Sequence, residues 1–132
     1  MTGEKNLDKL LKSMSPSLMD GEYVFCTFPH SHYGDHTELD PLASFIESEG
    51  LTLIVAKSKA DEYKLDYESV FKGIALSVHS SLEAVGLTAT ISHKLAYNGI
   101  SANVCAAFYH DHIFVQRDYA EKALGVLTEL SL

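Results

Sequence analysis

Two clusters of imidazole and carboxylate stand out by residue type and spacing. The stretch "PHSHYGDH" at residues 29–36 sets His30, His32 and His36 beside Asp35, directly after the apolar run "EYVFCTF". Imidazole nitrogens and a carboxylate are donors that zinc accepts, so this stretch is a candidate metal site. In the second cluster, "FYHDHIF", His110 and His112 flank Asp111. Strand register argues against a ligand role there. A turn at His110-Asp111 pairs Phe108 with Ile113 and Ala106 with Val115, and it lines up Val104, Ala106, Phe108, Ile113 and Val115 on one face. A tight turn converges two imidazoles poorly on one ion, so this cluster reads as turn chemistry. His79 and His93 are single histidines, read as surface or hydrogen-bonded residues. No nucleophile with a base and an orienting group emerges, because the nearness of His79 to Ser80 and Ser81 in sequence says little about geometry. No catalytic residue is assigned and no enzyme is expected.

The elements that position these groups follow from periodicity. Leu7, Leu10, Leu11 and Met14 fall at helical spacing, and "SPS" at 15–17 ends that helix. A strand runs through "EYVFCTF" (22–28), followed by a polar loop from Pro29 to about Leu39. Asp40-Pro41 is a helix-start signal, so "PLASFIESE" is expected to be a helix that stops at Gly50. "LTLIVAK" (51–57) is apolar on both faces and reads as a central strand. Ser58 and Asp61 are candidates to cap a short helix through "KADEYKL".

The second half is more regular. "FKGIALSVH" (71–79) alternates, with Ile74, Leu76 and Val78 on one face. Leu87, Ile91 and Leu95 mark a helix that ends at Asn98-Gly99. "SANVCAAFY" and "HIFVQ" form a hairpin. Asp118 and Glu121 suggest a cap for a last helix with Ala120, Ala123, Leu124, Leu127 and Leu130 on one face. The order β-α-β-β-α implies an α+β, ferredoxin-like sandwich with a mainly antiparallel sheet and helices on one face. That fold needs a fourth strand. The first half offers "YVFCTF" and "LTLIVAK", so the halves, 1–68 and 69–132, are expected to share a core.

Composition narrows the function classes. The 132 residues carry 18 acidic against 10 basic side chains, a net charge of −8. There is a single arginine, Arg117, so neither nucleic acid nor an anionic membrane is an expected partner. No stretch approaches the roughly 18 apolar residues of a membrane span. The N-terminal "MTGEKNLDKLLKSM" lacks the apolar core of a signal peptide, which points to the cytoplasm. Cys26 and Cys105 sit in apolar strand-like runs and read as reduced core residues.

The order of elements around "LEAVGLTATISHKLAYNGIS" resembles the ACT domain. In that family a strand runs into a loop that ends in a glycine-containing turn, where a helix starts. Here the strand is "GIALSVHSS" and the turn "LEAVGLT", with Gly86 in the glycine position; the family's glycine–isoleucine signature appears as Asn98-Gly99-Ile100-Ser101. Residues 71–130 carry this likeness. The first half looks like the divergent partner of tandem ACT proteins, and the whole chain resembles a family of small bacterial ACT-like proteins related to amino-acid sensors. The resemblance implies regulatory binding of a small molecule, commonly an amino acid, with no cofactor, in a homodimer. The implied site covers Ser80, Ser81, Val85, Gly86, Leu87 and Thr88, with Asn98 nearby. Helix-start amides there can hold a carboxylate, and Gly86 lets a ligand approach the backbone.

Two other readings stand beside it. One is a protein-interaction or dimerisation module without ligand. The other is a metal-binding protein or hydrolase using His30, His32 and His36, since "HSHYGDH" is similar to the H-x-H-x-D-H signature of metallo-β-lactamase-type hydrolases. Gly34 displaces Asp35 and His36 by one residue from that pattern. The stretch is therefore read as a polar loop with no assigned metal.

Overall fold

The computed structural model describes residues 6–77 and 85–132. By packing, the chain divides into two compact units, Gly21–Phe71 and Met1–Asp20 together with Lys72–Leu132. Chain order and packing therefore partition the molecule differently, because the N-terminal segment belongs with the C-terminal half.

In the Gly21–Phe71 unit, three strands lie in the order β3-β4-β2: β2 (Tyr23–Pro29), β3 (Ala43–Glu47) and β4 (Gly50–Ala56). β2 and β4 pair antiparallel over seven residues, from Tyr23 opposite Ala56 to Pro29 opposite Gly50. Val24 and Cys26 on β2 and Leu51, Leu53 and Val55 on β4 alternate onto one buried face, where Leu39 and Ala60 join them. α2 (Lys57–Glu62) follows β4, with Ala56 at its N-cap and no capping side chain, so Ser58 does not cap it.

The helix expected at 41–49 is the strand β3. Asp40 adopts a left-handed φ of 47°, which closes a 3-10 turn at Thr37–Leu39 instead of capping a helix. Residues 43–47 then pair antiparallel with β4, Glu47 lying opposite Gly50 across a two-residue turn. Gly50 itself has φ 141°, and a Cβ there would strike the Phe28 carbonyl oxygen. Only glycine fits where three strands come this close. The ladder with β4 outweighs the local helix signal.

The second unit has the strand order β1-β5-β7-β6, with β1 (Pro16–Leu18), β5 (Phe71–Leu76), β6 (Asn103–Ala106) and β7 (Asp111–Gln116). The fourth strand is thus β1, paired antiparallel to β5 with Pro16 opposite Leu76 and Leu18 opposite Ile74. Neither "LTLIVAK" nor "YVFCTF" takes that place. Among the described residues, three α-helices belong to this unit: α1 (Leu7–Lys12), α3 (Leu87–Tyr97) and α4 (Ala120–Leu130). One cluster gathers Leu10, Met14, Ile74, Leu76, Leu87, Ile91, Leu95, Ile113, Val115, Ala123 and Leu127. The steps of four along α3 and the period of two along β5 and β7 both point into it.

The hairpin corrects the expected register. Val104 pairs with Ile113 and Ala106 with Asp111, so the turn spans 107–110, where Ala107 N–H donates to the His110 carbonyl at 3.0 Å. Ile113 takes Val104 as partner in place of Phe108, a slip of four residues that preserves facing but leaves Phe108 outside the ladder and 54% exposed. At the last helix, a 3-10 turn at Arg117–Tyr119 precedes α4, and Asp118 makes no capping bond.

Candidate functional site

The polar loop after β2 is held by its own side chains. His36 stacks on Phe28, with ring centroids 4.1 Å apart and planes at 25°. Its Nε2 shares a 3.0 Å hydrogen bond with the Ser31 hydroxyl, and its Nδ1 lies 3.7 Å from Glu38 Oε1. Asp35 accepts the His32 backbone N–H at 2.8 Å. His30 and His36 both have φ of 65°, a left-handed backbone. Local bonds and stacking thus engage His36 and Asp35, two of the groups beside which the metal reading sets His30 and His32. Among the described residues no group of three or more His, Cys, Asp or Glu could hold a metal ion. The loop does shape a cavity of about 140 Å³ floored by Leu53 and rimmed by Tyr33, Asp35, Thr37, Pro41 and Ser44. Sequence reading missed it because β3, which supplies Ser44, was expected to be helical.

At the start of α3, Gly86 is the N-cap residue with φ 102° and no side-chain cap bond. Thr90 N–H donates to the Gly86 carbonyl, the first helical bond. The amides of residues 87–89 precede that ladder and lack an intrahelical acceptor. Thr88 is exposed, does not cap the helix, and stands beside these amides. Val85 is 85% exposed, whereas the Leu87 side chain is buried and leaves only its backbone for a ligand. Leu7 of α1 covers the turn, with its Cδ2 3.3 Å from where a Cβ on Gly86 would stand. Ser80, Ser81 and His79 lie outside the described residues. Asn98 is not brought to this turn: it is the C-cap of α3, about 16 Å away along eleven residues. Its Nδ2 donates to the Lys94 carbonyl at 2.9 Å, which commits the side chain to ending the helix.

The second histidine cluster also differs from its reading as a turn. Asp111 opens β7 and is 5% exposed, the one buried charged side chain among the described residues. Burial pushes its carboxyl above the ordinary carboxylate value, and the imidazoles of His112 and His110 pull the other way. The signal was present in the alternation that turns Ile113 and Val115 inward, which turns Asp111 inward as well.

Neither thiol is activated. Burial raises Cys26, with Asp66 adding to it, and burial raises Cys105. Both are free. No helix among the described residues is long and apolar enough to cross a membrane.

Comparison with known proteins places this geometry. A family model of the ACT domain matches residues 2–72, and a second one, also of the ACT domain, matches residues 68–129. No curated protein matches the chain. A crystal structure of a protein of unknown function from Vibrio cholerae, described as a possible transport protein, is 52% identical, covers 97% of this chain and 98% of its own, and superposes with a TM-score of 0.87. A protein from Agobacterium tumefaciens has a TM-score of 0.70 at 16% identity, covering 88% of this chain and 87% of its own. The ligand-free regulatory subunit of aspartate kinase from Thermus thermophilus has a TM-score of 0.62 at 12% identity, covering 90% of this chain and 99% of its own, which shows a shared fold. With ACT models matching one after the other from residue 2 to residue 129, the chain belongs to the ACT domain family.

Proposed function

We propose that this protein is a non-catalytic regulatory ACT protein of the cytoplasm, a homodimer that binds a small effector, an amino acid, at the turn opening α3. The observation that carries the reading is the uncapped start of that helix. Gly86 holds the turn at φ 102° and no side chain closes it. The partial positive charge of those amides attracts a carboxylate. Val85, Gly86, Thr88 and the Leu87 backbone make up the described part of the site, and Ser80 and Ser81 are its remaining assigned members. The regulatory subunit of aspartate kinase, which shares the fold, supports a sensing role. Packing also divides the chain at the seam between the two ACT models, near residues 68–72, for all but the N-terminal segment.

A thermal-shift screen against the twenty amino acids tests the reading. Binding to the native state alone raises stability by about 2.7 kcal/mol at a hundredfold excess over Kd. At least one amino acid is expected to raise the melting temperature at millimolar concentration. If none does, the effector reading fails and the interaction module without ligand takes its place. Sedimentation at micromolar concentration checks the homodimer, which a monomer mass would contradict.

A further inference from the structure

β3 buries none of its own residues. Four of its five side chains are exposed, and none joins the core cluster of its unit. It stands at the end of the strand order, held by β4, with the Leu42 N–H carrying that ladder on to the Ile54 carbonyl at 2.8 Å. Among the described residues no strand lies along its other side, so one row of its backbone N–H and C=O groups faces outward without a strand partner. Register sets what this edge presents. Ser44 lies opposite Leu53 and Ile46 opposite Leu51, which places both on the face that carries the core. Ile46 is nonetheless 76% exposed, and Phe45, on the other face, is 44% exposed. The apolar layer is left open at β3. Exposed edges are commonly guarded by lysine or proline, and "ASFIE" has neither.

Charge distinguishes between occupants. The Gly21–Phe71 unit holds ten acidic side chains against three lysines, so −7 of the chain's −8 lies within it. Residues 23–56, which hold all of β2, β3 and β4, contain five carboxylates and neither lysine nor arginine. Four of the five bracket the open edge: Glu38 and Asp40 precede β3, and Glu47 and Glu49 close it, all of them exposed. The lysines come after β4, where Lys57 and Lys59 pair with Asp61 and Glu62. A second copy of β3 fits poorly in either direction. Antiparallel pairing brings Glu47 and Glu49 to the end where the copy carries Glu38 and Asp40, and parallel pairing sets like ends side by side. A strand with cations at both ends meets attraction instead.

We propose that the open edge of β3 is a docking surface for a basic, extended segment of another protein, which adds a strand beside β3. Main-chain hydrogen bonds along the edge supply the affinity, and an apolar side chain packed on Ile46 continues the core face. Cations flanking that segment meet Glu38 and Asp40 at one end and Glu47 and Glu49 at the other, which selects the partner and speeds encounter. This docking is independent of the α3 turn, and the homodimer proposed above then uses a surface other than β3.

The test uses the full chain and a labelled peptide with an alternating valine–threonine core between pairs of lysines, beside a counterpart with glutamate in place of each lysine. Binding is read by fluorescence anisotropy, and its place by amide chemical shifts. The lysine peptide is expected to bind, to shift the amides of residues 42–47, and to bind more weakly as salt is added. The glutamate counterpart is expected to bind at least tenfold more weakly. Ile46→Lys changes an exposed side chain, so the variant is expected to keep the wild-type melting temperature and to lose at least tenfold in affinity for the lysine peptide. No binding of the lysine peptide, equal binding of its glutamate counterpart, shifts confined to other strands, or unchanged affinity in the variant overturns the proposal. A dimer in the wild type that Ile46→Lys converts to a monomer also overturns it, by assigning the edge to a second copy. None of these outcomes bears on the amino-acid screen, which decides the effector reading by itself.

Discussion

Both units place a third strand between two others, β2-β4-β3 in one and β5-β7-β6 in the other, and the second unit adds β1 beside β5. In the second unit a helix, α3, follows the first strand and sends Leu87, Ile91 and Leu95 into the core. In the Gly21–Phe71 unit a loop takes that place and buries one residue, Leu39, with His36 stacked on Phe28 at its edge. A sheet face can be covered by a loop when that loop brings its own apolar plug and ties down its own polar groups. The difference bears on chemistry. The helix creates amides without acceptors, which can take a ligand, whereas the loop ties His36 and Asp35 to its own chain. The second unit is therefore where effector binding is proposed.

Breaking the packing should separate the units most. Leu10 and Met14 are fully buried in the second unit, although they precede both halves in sequence. Leu10→Ala is expected to cost about 2–5 kcal/mol, with amide exchange rising in β5 and β7 before it rises in β4. Faster exchange confined to β2–β4 would overturn this division of the core. A smaller contrast lies in two glycines. Gly50→Ala is expected to cost at least about 2 kcal/mol, because its Cβ meets backbone that cannot move away. Gly86→Ala, with similar backbone strain but only the flexible end of Leu7 in the way, should cost about 1–2 kcal/mol by chemical denaturation.

Acidity sharpens the comparison next. The folded-state pKa of Asp111 is raised, so the native state holds its proton more tightly than the unfolded chain does. Its contribution is fully present below the ordinary carboxylate value and is lost as pH rises through the folded pKa. Asp111→Asn should therefore melt above the wild type at neutral pH, and that advantage should shrink on acidification. A gap that widens toward acid would contradict the sign. The smallest effect is expected in the loop, where His36→Ala loses a ring stack and a hydroxyl contact worth about 1 kcal/mol. The measured stability of that variant shows whether the loop plug depends on the ring or on Leu39 alone.

Local periodicity made the second unit legible. Steps of four set α3 and its end at Asn98, and alternation set β5 and β7. The left-handed turn at Gly86 was equally visible, because glycine is the residue that tolerates it. Where the reading failed, a partner distant in sequence decided the outcome. β1 has only three residues, too few for any period, and exists because β5 offers an edge opposite Pro16–Leu18. "PLASFIESE" carries a fair helix start, and the ladder with β4 overrides it.

What the sequence determined by itself was the family topology, the inward faces of β5, α3, β7 and α4, and the turn proposed as the binding site. These depend on residue type and short spacing. Tertiary structure alone decided that the N-terminal segment completes the C-terminal half, that a loop replaces one helix, and that Asp111 is buried rather than placed in a turn. Each of those outcomes was set by desolvation and strand pairing between residues far apart in the chain, and such energies leave no periodic trace in the sequence.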